Sequence, residues 1–261
     1  MPGGPLKRRT LLTAVLALAL PMTLAAEPRT PVAIAAAADL QGALEQVKAA
    51  FEARHPGIQL QLTFGASGSL CAQLFQGAPF DVFLSADTGF PEQLAKDGLA
   101  TPAGPFPYAT GSLALWVRKD LGLDGREGLK TLLHPGLRKI AVANPQVAPY
   151  GRAAEAALRG AGIYDTVKPR LVFAGNIAQA AQFLQTGTAE AGLISQAQAN
   201  HPLLRQTGWT WTVPAGTYPP LRQAGILLRR SAVHPQAQLF RAFLLGAEGQ
   251  ALLAAHGFGR P

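Results

Sequence analysis

The stretch Ile58-Gln-Leu-Gln-Leu-Thr-Phe-Gly-Ala-Ser-Gly-Ser-Leu70 decides the fold, because a strand pattern changes into a helical pattern within it. Apolar and polar residues alternate from Ile58 to Phe64, which is typical of a half-buried strand. The small residues Gly65-Ala-Ser-Gly-Ser69 then open a helix. A helix start presents free backbone N–H groups at the positive end of the helix dipole. This turn therefore predicts either a structural cap or an anion site.

The same strand-to-helix device recurs at three other places in the chain: Ala36-Ala-Ala-Asp-Leu40, Pro149-Tyr-Gly151 and Gly175-Asn-Ile177. This repetition favours the anion site over the structural cap. Strand and helix signals alternate from Pro31 nearly to the end of the chain. Such an order is typical of α/β proteins with a parallel sheet between two layers of helices.

Two proline-rich segments interrupt the alternation, Thr101–Pro107 and Pro214–Pro220. They predict two α/β lobes, with the chain crossing to the second lobe and then returning. We expect the first lobe to comprise residues 27–106 and 222–261, and the second lobe residues 107–221. Two of the strand-to-helix turns fall in each lobe. Facing turns from two lobes would form a cleft that closes on a small anion.

The first 26 residues predict a cleaved export signal. Lys7-Arg-Arg9 is its positive region, Leu11–Leu20 its apolar run, and Ala25-Ala26 supplies the small residues that a signal peptidase requires. The run is too short to span a bilayer, which takes about 20 apolar residues. We therefore expect an exported protein. General export and the twin-arginine route both stay open, since Arg8 and Arg9 are adjacent.

Composition narrows the function classes. The chain has 261 residues, of which 48% are hydrophobic, and a single cysteine, Cys71. It must therefore be stabilised by its core rather than by an internal disulfide. The net charge is +8 for the whole chain and +5 without Lys7, Arg8 and Arg9 of the predicted signal, and the remaining basic residues are dispersed singly or in pairs. This pattern predicts no nucleic-acid partner.

An enzyme is the alternative from a different class. Gly65-Ala-Ser-Gly68 approaches the Gly-x-Ser-x-Gly elbow of serine hydrolases, but the fifth residue is Ser69 rather than glycine. The five histidines show no metal-ligand spacing, and the sequence has no nucleotide-binding loop. We therefore predict no cofactor and no enzymatic activity, with a secreted serine hydrolase as the weaker hypothesis.

Five stretches resemble the periplasmic molybdate-binding proteins of ABC transporters, in the same order and with similar spacing: Ala35–Leu40, Phe64–Leu70, Gln76–Asp87, Val142–Gly151 and Ala191–Ser195. The resemblance implies a two-lobed periplasmic-binding-protein fold that holds a dehydrated tetrahedral oxyanion between its lobes. It also implies molybdate or tungstate as ligand, a membrane permease as partner and a monomeric state. Sulfate and phosphate, which share the tetrahedral shape, are the alternative ligands.

The resemblance also implies which residues hold the anion. Ser67 would donate from Oγ and from its backbone N–H, and Tyr150 and Ile177 would donate from their backbone N–H groups. Ser195 stands where relatives often carry a tyrosine whose hydroxyl reaches the anion. Since serine is shorter, its contact with the anion is left open.

Asp39 departs from the pattern, because some relatives carry serine at this position. A carboxylate beside a dianion is repulsive. We therefore expect the Asp39 side chain to cap its own helix, leaving its backbone N–H for the ligand. Two alternatives stay open: a protonated Asp39 that donates its proton, and a direct bond from the carboxylate to the metal centre.

Overall fold

The computed structural model describes Met1, residues 29–123 and residues 127–261. Apart from Met1, the predicted signal peptide of residues 1–26 lies outside the described residues. None of the helices in the described ranges is both long and apolar enough to cross a membrane.

The strands and helices of the described residues follow the predicted alternation. The strands are β1 Thr30–Ala37, β2 Ile58–Gly65, β3 Val82–Ser85, β4 Phe106–Gly111, β5 Leu113–Arg118, β6 Ile140–Ala143, β7 Leu171–Ala174, β8 Ala191–Ser195, β9 Gly208–Thr212 and β10 Leu221–Leu227. The α-helices are α1 Gln41–Arg54, α2 Ser67–Phe75, α3 Gly89–Lys96, α4 Pro149–Gly160, α5 Tyr164–Val167, α6 Ile177–Gln185, α7 Gln196–Ala199, α8 Pro202–Thr207, α9 His234–Leu245 and α10 Ala247–Ala255. The predicted helix near Leu129 is a 3-10 helix, Gly128–Leu133.

The strands form two sheets of five, ordered β2-β1-β3-β10-β4 and β7-β6-β8-β5-β9. The first three strands of each sheet are parallel to one another. The fourth, β10 or β5, is antiparallel to both of its neighbours. Helices connect the parallel strands, so the predicted two-lobed α/β fold is confirmed.

The chain passes between the sheets twice, at Ser112 between β4 and β5, and at residues 213–220 between β9 and β10. Since β4 pairs with β10, the first crossing lies later than the predicted boundary after residue 106. The sequence predicts a break that includes Pro107, but Pro107 lies within β4. An edge strand tolerates proline, and the register of β10 shifts beside Pro107, between Gln223 and Ala224.

The sequence patterns follow from strand position. β2 is an edge strand, and its first residues alternate between buried Ile58 and Leu60 and exposed Gln59 and Gln61. β3 lies inside the sheet, and all four of its residues are buried. An internal strand covered on both faces reads as a continuous apolar run, whereas an edge strand with one exposed face alternates. Because three neighbouring strands of each sheet are parallel, their carboxyl ends lie at the same edge of that sheet.

Candidate functional site

The strand-to-helix turns of the first lobe lie against the second lobe. Ala38, Ala66 and Ala86 follow the carboxyl ends of β1, β2 and β3. All three belong to the same buried cluster as Tyr150 and Ile177 of the second lobe. The predicted anion turns of both lobes therefore converge. We call this region, between the carboxyl ends of the parallel strands of both sheets, the interlobe site.

Direct polar contacts join the lobes around the interlobe site. The Gly68 N–H donates to the Val147 carbonyl at 2.9 Å, and the Gln198 amide donates to the Ala38 carbonyl at 3.0 Å. Glycine is required at position 68, because a Cβ there would lie 2.9 Å from the Val147 oxygen. The lobes are therefore closed upon each other.

An ion pair spans the rim of the interlobe site. Nη2 of Arg152, on α4, donates to Oδ2 of Asp87 in the first lobe at 2.5 Å. The guanidinium also lies 5.6 Å from the ring centroid of Phe90. Both charged side chains retain solvent exposure, so we treat this pair, which we call the rim latch, as a modest contribution to closure.

Ser67 is the first residue of α2 and is almost completely buried. Its Oγ accepts a hydrogen bond from the Ala86 N–H at 3.0 Å, which leaves the hydroxyl hydrogen available to a ligand. The residue before the helix is Ala66, which has no side chain that can cap the first N–H groups. Ser67 therefore combines a hydroxyl donor with the uncapped end of a helix.

Tyr150 and Ile177 occupy equivalent places in the second lobe. α4 follows Ala148, which provides no side-chain cap, and Tyr150 is its second residue. α6 begins with Ile177 after Asn176, whose Oδ1 accepts from the Gln179 N–H at 2.9 Å. This cap occupies the third N–H of α6 and leaves that of Ile177, the first residue, for a ligand. Both residues are buried against the first lobe.

Ser195 ends β8 and caps the short helix α7. Its Oγ accepts from the Gln198 N–H at 3.1 Å. The side chain of Gln198 in turn reaches the Ala38 carbonyl across the interlobe site. Ser195 therefore has a structural role in the closed form, and its predicted hydroxyl contact with the anion stays a prediction.

The expected capping role of Asp39 is wrong. Neither the 3-10 turn Ala38–Leu40 nor α1 has a side-chain cap. Instead, Oδ2 of Asp39 accepts from Nε2 of Gln223 on β10 at 2.5 Å. The returning strand β10 places this amide beside the end of β1. A partner 184 residues away competes with the local cap for the carboxylate, and no local pattern reveals it.

The second carboxyl oxygen of Asp39, Oδ1, is buried and has no hydrogen-bond partner among the described residues. Burial raises the pKa of Asp39 from 3.8 to about 6, and the nearby Gln223 amide and Tyr150 hydroxyl only partly oppose this effect. Removing a carboxylate from water disfavours its charged form. The interlobe site therefore contains an acid that titrates close to neutral pH.

Three polar groups around Asp39 were missed at the sequence level. The Tyr108 hydroxyl lies 2.8 Å from Gln223 Oε1 and 3.0 Å from the Ser85 carbonyl, while the Tyr150 hydroxyl lies 3.4 Å from Gln223 Nε2. Burial raises the pKa of both tyrosines well above its usual value, so both hydroxyls stay neutral. The sequence offered one signal for Gln223, a polar residue directly before the apolar run of residues 224–228, and the structure buries this residue completely.

Gly111 explains how the Tyr150 side chain reaches this network. A Cβ at position 111 would lie 2.2 Å from the Tyr150 hydroxyl oxygen and 2.9 Å from Gln223 Nε2. Only glycine therefore allows the tyrosine of the second lobe to enter the first. The Tyr150 side chain consequently packs between the lobes, whereas the sequence had assigned it only a backbone role.

The chain is similar to known proteins in both sequence and fold. The profile of the bacterial extracellular solute-binding protein family matches residues 32–259. The molybdate-binding protein ModA of Azotobacter vinelandii is 34% identical over 245 residues, which cover 94% of this chain and 96% of that protein. The protein of the same name from Rhodobacter capsulatus is 34% identical over 251 residues, covering 96% and 97%.

A solved structure gives the same result. The Azotobacter vinelandii periplasmic molybdate-binding protein superimposes with a TM-score of 0.82 at 33% identity, covering 88% of this chain and 99% of that one. These matches confirm the resemblance and identify a binding protein rather than an enzyme, which excludes the serine hydrolase. The chain therefore belongs to the bacterial extracellular solute-binding protein family, and its resemblance to the molybdate-binding members is confirmed.

Proposed function

We propose that this protein binds molybdate in the interlobe site and delivers it, in the periplasm, to the membrane permease of an ABC transporter. One observation carries the proposal: the donor-bearing starts of α2, α4 and α6, at Ser67, Tyr150 and Ile177, are all buried where the two lobes meet. Relatives at 34% identity over nearly the whole chain are named molybdate-binding proteins. Residues 1–26 would direct export, and the protein would act as a monomer.

The chemistry of the interlobe site suits a tetrahedral dianion. The Ser67 hydroxyl and the backbone N–H groups of Ser67, Tyr150 and Ile177 would donate to the anion oxygens from opposite sides. Each helix start adds the positive end of its dipole. A hydrogen bond to a charged group contributes about 1.5–3 kcal/mol. Four such bonds can hold a dehydrated anion without help from a cation. The nearby guanidinium of Arg152 is already paired with Asp87 at the rim of the site.

Tungstate is the second proposed ligand, because it has the same charge and shape and nearly the same size as molybdate. Sulfate and phosphate stay as the alternatives, since they present the same tetrahedron of oxygens at a smaller radius. We propose that the closed site selects by size, because donors fixed by two folded lobes cannot all follow a smaller anion.

Calorimetric titration of the mature protein with molybdate, tungstate, sulfate and phosphate tests the proposal. We expect molybdate and tungstate to bind at least a thousandfold more tightly than sulfate, a difference of about 4 kcal/mol. Comparable affinity for sulfate would reassign the ligand. Delivery is tested separately, as molybdate-dependent ATP hydrolysis by the transporter reconstituted in vesicles together with this protein. No stimulation by the loaded protein would refute the transport role alone.

A further inference from the structure

Asp39 places a buried carboxyl group in the interlobe site, and a bound dianion would repel its charged form. Its side chain is buried, and its Oδ2 is held by Gln223. Its Oδ1 has no hydrogen-bond partner among the described residues, although the Tyr150 hydroxyl and the backbone N–H groups of Asp39 and Leu40 are near enough to the carboxyl to lower its pKa. A buried polar atom without a partner costs about 1–3 kcal/mol, and more when it is charged. Such an atom in a ligand site indicates a role in the bound state.

The other titratable groups around Asp39 do not offset the repulsion between its carboxylate and a bound dianion. β4 and α4 contribute the neutral hydroxyls of Tyr108 and Tyr150. The turn after β3 contributes Asp87, a second carboxylate, which is paired with Arg152 of α4. β1, α6 and α7 have no titratable side chain, and the only such group on α2 is Cys71.

One imidazole lies near the start of α1. The ring of His256 would be 3.3 Å from a Cβ at Gly42. Burial lowers its pKa below 6.5, so the ring favours its neutral form at neutral pH. A cation that could balance a charged Asp39 next to a dianion is therefore lacking among these groups.

We propose that Asp39 enters the anion-bound state as a neutral carboxylic acid, so that the protein takes up one proton from solvent with each oxyanion. The acid donates from Oδ1 to an oxygen of the anion, while Oδ2 continues to accept from Gln223. The carboxylate, the solvent proton and the dianion together form a complex of charge −2 instead of −3. This inference rests on the proposed function, since it concerns the same ligand.

The geometry and the electrostatics both favour protonation of Asp39 in the anion-bound state. The proton gives the unpaired Oδ1 a hydrogen-bond acceptor, and it removes the repulsion between two buried negative charges. The raised pKa of Asp39, about 6 without the anion, makes the acid form accessible near neutral pH. A bound dianion raises this pKa further, because a nearby like charge disfavours the carboxylate.

The proposal also adds a second basis for selectivity. An acid donor forms its strongest hydrogen bond with the most basic acceptor. Molybdate is a stronger base than sulfate, so Asp39 favours molybdate by its chemistry in addition to any effect of size. A site built only from backbone N–H groups and serine hydroxyls has no such proton to share.

The test is calorimetry of the wild type and Asp39→Asn with molybdate between pH 7 and 9, in two buffers of different ionisation enthalpy. For the wild type we expect uptake of about one proton per anion and a Kd that rises about tenfold per pH unit. Asp39→Asn keeps the shape and an oxygen for Gln223. It should bind with no proton uptake, with a Kd independent of pH and at pH 8 at least as tight as wild type.

Asp87→Asn is the matched control, because it removes the other nearby carboxylate and should leave the proton uptake in place. Wild-type binding without proton uptake would overturn the inference and leave the proposed function intact. Loss of binding in a folded Asp39→Asn protein would also overturn it, in favour of a carboxylate that contacts the ligand directly. A wild type that binds no molybdate at any pH would overturn the proposed function and the inference together.

Discussion

The two lobes present hydrogen-bonding groups to the interlobe site by different means. In the first lobe the groups include two side chains in addition to the Ser67 N–H, and each side chain is held by a distant residue of that lobe: Ser67 by the Ala86 N–H and Asp39 by Gln223. In the second lobe the proposed donors are backbone N–H groups at the first turns of α4 and α6, at Tyr150 and Ile177.

Side-chain groups and backbone N–H groups respond differently to mutation and to pH. A side-chain group can be deleted by mutation and, in the case of Asp39, can change its charge with pH. A backbone N–H survives every substitution except proline. We therefore infer that the first lobe sets the chemistry of the site, including its pH dependence, and that the second lobe supplies a fixed geometry.

The largest effect concerns the stability of the ligand-free protein. Because the folded-state pKa of Asp39 is raised to about 6, the folded state binds this proton more tightly than the unfolded state does. The stability that this provides is present below pH 3.8 and is lost as the pH rises to about 6. Asp39→Asn has no such loss, so at pH 7 it should exceed wild type by up to about 3 kcal/mol.

Thermal unfolding from pH 4 to pH 8 measures this difference. Asp165→Asn is the control from the second lobe, because Asp165 is exposed and should show nearly the same profile as wild type. A constant gap between Asp39→Asn and wild type over the whole range would show that the Asp39 carboxyl is not perturbed by burial.

The second prediction deletes a side-chain donor from the first lobe. Ser67→Ala removes the proposed hydroxyl donor and should weaken molybdate binding by about 1.5–3 kcal/mol, the range for hydrogen bonds to charged groups. Titration calorimetry measures the change. Ser69→Ala is the matched control, since it removes a hydroxyl from the same first turn of α2, and it should bind as wild type does. Equal losses in both variants would contradict the specific role of Ser67.

The sequence predicted the strand-to-helix turns well, because their signals are local. Gly65–Ser69 and Gly175–Ile177 both end a strand and begin a helix as expected. The two-lobed fold also followed from the alternation of elements. The position of the first crossing was less predictable, because Pro107 looked like a break and only pairing with β10 makes it part of a strand.

The environment of Asp39 lay beyond the reach of sequence patterns. Asp39 meets Gln223, and Tyr108 contacts the same glutamine from 115 residues away. These contacts depend on how β10 inserts between β3 and β4, and no periodicity specifies that insertion. Asp39, expected to cap its helix, is instead a buried acid held by Gln223 of the distant strand β10.

The third prediction removes a backbone donor from the second lobe. Proline is well tolerated at the first position of a helix, and Asn176 before it already has the extended backbone that precedes proline, with φ −155° and ψ 176°. Ile177→Pro should therefore fold and lose one N–H. Molybdate binding should weaken by about 1.5 kcal/mol or slightly more, because the dipole of α6 still contributes.

Ile177→Ala is the control for the lost side chain, since it keeps the N–H while removing most of the buried packing. We expect its Kd for molybdate to stay close to that of wild type, although its melting temperature falls. If alanine weakens binding as much as proline does, the second lobe acts through side-chain packing, and the contrast between the lobes is wrong.

The smallest effect belongs to the rim latch, which joins the lobes without entering the anion site. Arg152→Gln removes the ion pair with Asp87 and the contact of the guanidinium with Phe90. Because both charges are partly exposed, the loss of molybdate-binding free energy should be below about 1 kcal/mol and should diminish with added salt. Because the latch joins residues of different lobes, opening of the lobes must break it, and the variant should mainly speed molybdate release, as measured by stopped-flow fluorescence.

Arg159→Gln is the matched control on the same helix. Arg159 pairs with Glu155 of α4, so its ion pair lies within one lobe and is unchanged by closure. We therefore expect release from Arg159→Gln at the wild-type rate, and faster release from Arg152→Gln that approaches the wild-type rate as salt is raised. Equal release rates for all three proteins at low salt would mean that the anion and its buried donors hold the lobes together without the rim latch.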